Sequence, residues 1–146
     1  MGKTVNLRGY FERIGFAGSI APTVATLDLL HALHPAAIPF ENLDPLLGTP
    51  VSLDLEAIER KLVSARRGGY CYEHNLLFMA VLQELEFTVR PLGARVLWNT
   101  GEARDTKATH MLLAVEIGGT TYLADPGFGG LALTAPLKLR AESEQS

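Results

Sequence analysis

The sequence predicts an α+β chain in which helices come first and an antiparallel sheet follows. Cys71, the only cysteine, precedes an apolar run from Leu76 to Leu82 that contains neither Gly nor Pro and is continued by Leu85. Such a run reads as a buried helix rather than a strand. Gly118-Gly119 stands between two segments rich in β-formers, His110 to Ile117 and Thr120 to Asp125, which is a two-residue hairpin signal. Between these landmarks the character changes at Thr88, where β-formers are interrupted by Pro91 and Gly93. The expected organisation is a helical unit over residues 1–86 and a β unit over 87–146.

Each element has its own signal. Leu7, Tyr10, Phe11 and Ile14 fall at helical spacing, and Gly15 follows as a stop. Pro22-Thr23 opens a second helix through Leu33, with Pro35 expected to end it. His31 and His34 lie on that helix, but neither has an acidic or cysteine partner at metal-ligand spacing. Ile38 to Pro45 is a proline-bracketed loop whose Phe40 and Glu41 serve either as a site wall or as packing. Val51-Ser52-Leu53 is a short extended piece, and Asp54 is placed to cap a helix through Ala65 with Leu55, Ile58 and Leu62 on one face. Asn99 to Ala108 reads as an exposed loop, Leu131 to Leu139 as an apolar stretch broken by Pro136, and Arg140 to Ser146 as a polar tail.

Composition narrows the function classes. With 146 residues, 47% hydrophobic and 20% charged, the chain can build a core. A net charge of −3 and the lack of any Lys/Arg run speak against nucleic acid and against a membrane surface. No apolar stretch reaches the roughly eighteen residues of a spanning helix, and the N-terminus leads into a charged segment rather than a signal-peptide core. A single cysteine forms no internal disulfide, so a reducing, cytoplasmic setting is expected.

The chemistry gathers around Arg67-Gly68-Gly69-Tyr70-Cys71-Tyr72-Glu73-His74-Asn75. Cys71 is expected at or just before a helix N-terminus, where unpaired N–H groups and the helix dipole favour a thiolate. The plainer alternative is a small buried hydrophobe. If Gly118-Gly119 is the turn, Ile117 faces Thr120, Leu112 faces Asp125, and His110 and Asp125 become diagonal neighbours on one face. A loop of odd length would put them on opposite faces. An imidazole beside a carboxylate is oriented and made a better base. Cys71, His110 and Asp125 thus fit nucleophile, base and orienter, while a core histidine and a capping aspartate remain the simpler alternative. Pro126-Gly127-Phe128-Gly129-Gly130 lets a ligand approach the backbone or makes an ordinary turn, and it lacks the P-loop and dinucleotide patterns. Cys71, His74 and His110 do not make a convincing metal set without cysteine pairs, so no metal is expected.

Taken together these segments resemble the arylamine N-acetyltransferases. The segments are Arg67 to Asn75, Thr109-His110-Met111-Leu112-Leu113, Tyr122-Leu123-Ala124-Asp125-Pro126-Gly127-Phe128-Gly129, and Ile38-Pro39-Phe40-Glu41-Asn42-Leu43, all in the family's order and spacing. The resemblance covers nearly the whole chain. It implies a Cys71-His110-Asp125 triad, acetyl-CoA as donor, a small arylamine or hydrazine as acceptor, and a two-step transfer through a Cys71 thioester. It implies a helical bundle followed by an antiparallel β-barrel-like domain, with a cysteine-proteinase-like core. It also implies that Phe40, Thr109 and Phe128 line the acceptor pocket, that Gly127 lies near CoA, and that Arg67 and Glu41 form a structural ion pair.

Two departures set further expectations. Pro126 stands where the family usually has a small or β-branched residue. Full members also continue for about as many residues again, a domain-sized addition, into an α/β domain that covers the cleft and helps hold CoA. A chain ending at Ser146 is therefore expected to lack that lid and to leave a thioester open to water. Weak or hydrolysis-biased activity follows, with self-association through the uncovered Leu131 to Leu139 stretch. The competing readings are a thiol-dependent acyl-CoA or ester hydrolase and a catalytically weak remnant.

Overall fold

In the computed structural model, residues 4–94, 110–128, 133 and 135–139 are described. Helices α1 (Leu7–Ile14), α2 (Val24–Ala37), α3 (Leu43–Leu46), α4 (Leu55–Glu59) and α5 (Cys71–Glu84) precede the strands, and α4 runs on into a π-helical turn, Arg60–Ser64. Strands β1 (Thr88–Ala94), β2 (His110–Ile117), β3 (Thr120–Ala124) and β4 (Leu137–Lys138) form an antiparallel sheet in the order β1-β2-β3-β4. The predicted sequence of helices then strands is the observed one. The barrel-like closure is not: among the described residues β1 and β4 are open edges. Pro91 sits on edge strand β1, where its missing N–H interrupts no second ladder.

Local chemistry accounts for most helix ends. The Asn6 side chain accepts from Gly9 N–H at the start of α1, and Gly15 closes it in the left-handed conformation. Thr23 caps α2 by accepting from Thr26 N–H. Pro35 does not end α2 but lies in its last turn. It removes only the N–H that would bond the His31 carbonyl, so the helix survives. The stop comes at Ile38, whose extended backbone (φ −113°, ψ 106°) suits a residue that precedes a proline. Asp54 stands at the N-cap of α4 but makes no side-chain capping hydrogen bond there.

α5 is the central element. Its buried residues Glu73, His74, Asn75, Leu77, Phe78, Val81 and Leu82 repeat at helical spacing and face the interior. Leu77, Phe78, Val81 and Leu82 share one continuous core with Leu27 and Leu30 of α2, Ile58 and Leu62, and Leu113, Val115 and Ala124 of the sheet. Helices and sheet are therefore clamped together by α5. The β2–β3 hairpin turns at Gly118 (φ 57°) and Gly119 (φ 80°), positive angles that a side chain would strain. Ile117 pairs with Thr120 and Leu113 with Ala124, the register predicted from the turn.

Phe78 has no exposed surface and meets His31 and His34 edge-on, with centroids 6.1 and 5.4 Å away. Phe78→Ala is expected to cost about 3–5 kcal/mol by leaving a cavity. A urea midpoint that falls accordingly, with an unchanged denaturant slope, checks this; an unchanged midpoint contradicts it.

Candidate active site

Cys71 is the first residue of α5 and is half-buried. Its position puts the sulfur beside the unpaired N–H groups and positive dipole end of a fourteen-residue helix. One turn on, Asn75 lies on the same side of the helix. The chain enters α5 through Gly68-Gly69, held against the Phe40 loop: Glu41 N–H donates to the Gly69 carbonyl (2.9 Å) and Gly69 N–H to the Pro39 carbonyl (3.2 Å). A Cβ on Gly68 would sit 2.1 Å from the Pro39 oxygen, so that approach requires glycine.

His110 opens β2, and Asp125 follows the last residue of β3. Their side chains meet, with His110 Nε2 2.6 Å from Asp125 Oδ2, and both residues are buried. The Cys71 side chain is the second group acting on the ring. With Nε2 engaged by Asp125, Nδ1 is the nitrogen left for sulfur. The Asp125 hydrogen bond first, and the Cys71 contact second, push the imidazole up to about 9 despite burial. The ring is thus an imidazolium at neutral pH, placed between a carboxylate and a thiol. Asn75 Nδ2 donates to Asp125 Oδ1 (3.1 Å) and also to the Met111 carbonyl, tying the carboxylate to α5 and β2.

The remaining expected residues fall as follows. Phe128 meets His110 edge-on, with centroids 5.0 Å apart. Phe40 is 47% exposed and stacks nearly parallel to His74, centroids 6.4 Å apart. Gly127 packs on the start of α5: a Cβ there would lie 2.9 Å from the Cys71 carbonyl oxygen and 2.9 Å from His74 Cβ. Thr109 lies outside the described residues, as do the Asn99 to Ala108 loop and the Arg140 to Ser146 tail. Arg67 pairs with Glu41 (3.3 Å), and the pair belongs to a larger network. Arg67 also holds Asp44 (2.8 Å), while Lys61 bridges Asp44 (3.1 Å) and Glu73 (2.9 Å). A hollow of about 320 Å³ borders this network, but its charges already satisfy one another. Among the described residues no His, Cys, Asp and Glu group is arranged to hold a metal.

Sequence reasoning did not foresee the work of the other three histidines. Tyr10 Oη lies 2.7 Å from His34 Nδ1, His34 Nε2 lies 2.8 Å from His74 Nδ1, and His74 Nε2 lies 3.0 Å from the Pro39 carbonyl. A carbonyl only accepts, so His74 carries its proton on Nε2. Burial depresses His34 and His74, which keeps both rings neutral. His74 Nδ1 then accepts from His34 Nε2–H, and His34 Nδ1 accepts from the Tyr10 hydroxyl. His31 Nε2 accepts the Asp125 backbone N–H at 3.0 Å. The only advance signal was the i, i+3 spacing of His31 and His34, which puts both on one face of α2.

The fold and site define an α+β protein with a thiol, an imidazole and a carboxylate gathered where α5 meets the sheet. A family model described as N-acetyltransferase matches residues 23–146. The chain belongs to the arylamine N-acetyltransferase family. It is 50% identical over 141 residues to the arylamine N-acetyltransferase of Mycolicibacterium smegmatis, covering 94% of this chain and 51% of that protein. The Salmonella typhimurium enzyme structure superposes with a TM-score of 0.92 at 46% identity, over 99% of this chain and 53% of that one. The Mycobacterium marinum enzyme, solved in complex with CoA, gives a TM-score of 0.90 at 48% identity, over 97% of this chain and 53% of that one. The chain spans about half the length of the curated relatives it matches.

The histidines set opposing pH dependences. His31, depressed to about 4 by burial, and His34 and His74, also depressed by burial, bind protons only after unfolding. Their contribution to stability is present above the unfolded value of about 6.5 and is lost as pH falls below it. His110 is raised to about 9, so its contribution is present below about 6.5 and is lost as pH climbs through 9. Urea denaturation across pH is expected to show weakening on both sides of neutrality. A profile that is flat from pH 7 down to 5 contradicts the neutral buried histidines.

Proposed function

We propose that this chain transfers an acetyl group from acetyl-CoA to the nitrogen of a small arylamine or hydrazine through a thioester on Cys71. The Cys71 thiolate attacks the acetyl carbonyl, the acetyl–sulfur bond of acetyl-CoA breaks, and the departing CoA sulfur takes the proton of the His110 imidazolium. The amine then attacks the Cys71 thioester, His110 accepts the amine proton, and the amide leaves with Cys71 returned to thiolate. Asp125 orients the ring and stabilises its charged form. The observation that carries this reading is the line from Asp125 through His110 to Cys71, with the ring raised to about 9 between them. The M. marinum relative bound to CoA supports the donor.

Finer assignments belong to the same proposal. The part carrying Cys71 (residues 1–86) and the part carrying His110 and Asp125 (residues 87–146) form a cysteine-proteinase-like core. Phe40, Thr109 and Phe128 wall the acceptor, with Phe128 set against the His110 ring, and Gly127 borders the CoA chain. The single reduced cysteine suits a cytoplasmic setting. Self-association would use the face around Leu139, which is 42% exposed. A second reading, hydrolysis of the thioester, is favoured by the half-buried state of Cys71, which leaves the sulfur within reach of water.

Incubation with acetyl-CoA followed by intact-protein mass measurement is expected to show one acetyl adduct that Cys71→Ala abolishes. His110→Ala is expected to slow its formation by about 10²–10⁴-fold. Added arylamine should discharge the adduct as amide. CoA release without amide supports the hydrolase, and amide formation by Cys71→Ala overturns the mechanism.

A further inference from the structure

We propose that His31 is a positioning residue for the reacting groups: its Nε2 takes the Asp125 backbone N–H and so aims the Asp125 carboxylate at His110. This rests on reading Cys71, His110 and Asp125 as the reacting groups. The recorded β2–β3 pairing stops at Leu113 with Ala124, so Asp125 is the first residue past the ladder. There its N–H, instead of reaching a strand carbonyl, donates to a side chain 94 positions earlier, at 3.0 Å. A hydrogen bond from N–H requires a bare ring nitrogen, so His31 carries its single proton on Nδ1.

The three holds on Asp125 come from three different elements. His31 of α2 takes the backbone N–H, Asn75 of α5 donates to Oδ1 (3.1 Å), and His110 of β2 engages Oδ2 (2.6 Å). The carboxylate orientation depends on the backbone angle at Asp125, and His31 is the hold that acts on that backbone. The ring itself cannot swing: it has no exposed surface and lies edge-on to Phe78 at 89°. The charged and titratable groups facing it are Asp125 and His34, and those facing His110 are Asp125 and Cys71. Burial, which holds His31 at about 4, keeps the acceptor bare throughout the neutral range.

The test compares His31→Leu, which keeps bulk and loses the acceptor, with His31→Gln, whose amide oxygen can accept. Alkylation of Cys71 by iodoacetamide is followed against pH with no acetyl donor present, beside a thermal melt. With Asp125 misaimed, the imidazolium beside Cys71 is held about one pH unit less firmly. The alkaline inflection of the His31→Leu alkylation profile should then move about one pH unit down from the His110 midpoint of about 9, and His31→Gln should restore most of that shift. A folded His31→Leu that melts lower yet keeps the original alkylation profile shows packing alone and overturns the proposal. So does a His31→Gln whose inflection stays with that of His31→Leu. Should neither variant fold, ¹⁵N NMR of the unaltered chain decides. A His31 ring protonated only on Nδ1 from pH 7 to 5.5 supports the proposal, and a proton on Nε2 overturns it. Because alkylation needs no acetyl donor, a failure of acetyl transfer and a failure of this role are separate results.

Discussion

The short hydrogen bond between His110 and Asp125 is the contact on which the site depends, and it is a consequence of strand register. Two glycines with positive φ fix a two-residue turn, the turn fixes which residues of β2 and β3 oppose each other, and the pleat puts His110 and Asp125 on one face. A slip of one residue would leave every strand intact and turn the His110 ring away from Asp125. The sulfur comes from a different part of the fold, the first turn of α5, and the shared core of α5 with β2 and β3 brings it to the ring.

Four histidines lie in one small volume with opposite electrostatic fates. His31, His34 and His74 are buried, and desolvation holds them neutral. Neutral rings are what their partners need, because a tyrosine hydroxyl, a neighbouring imidazole N–H and a backbone N–H must each find a bare nitrogen. His110 is also largely buried, but a carboxylate on one side and a thiol on the other outweigh desolvation. The same side chain thus serves as a neutral, fixed partner in the interior and as a charged ring at its edge. The Tyr10–His34–His74 chain ends on the Pro39 carbonyl, so it ties the loop that bears Phe40 to the helix that bears Cys71.

Much of this was legible in the residue order. The first helix with its Gly15 stop, the opening of α2 at Pro22-Thr23, the α5 start at Cys71 and the hairpin register all follow from local chemistry, and local chemistry is what periodicity and turn residues encode. Where several local rules compete, the reading failed. Pro35 was expected to break α2, yet a proline near a helix end forfeits little, and Pro39 supplied the stop through Ile38. His31 and Asn75 were not recognised as the holders of Asp125, because their contacts span 94 and 50 residues and no spacing rule reaches that far. Barrel closure was expected from resemblance rather than from any strand signal, and the described strands leave the sheet open. Lys61 as the bridge of the Arg67 network was likewise invisible, since it lies within an apparently ordinary amphipathic helix.

The central claim is that His110 is poised by Asp125 on one side and Cys71 on the other. NMR titration of the His110 ring protons in the unaltered chain tests it most directly. The geometry predicts a midpoint near 9, well above the roughly 6.5 of a free imidazole. A midpoint at or below the free value would mean that the ring lacks those partners in solution, and the line from carboxylate to sulfur would not stand.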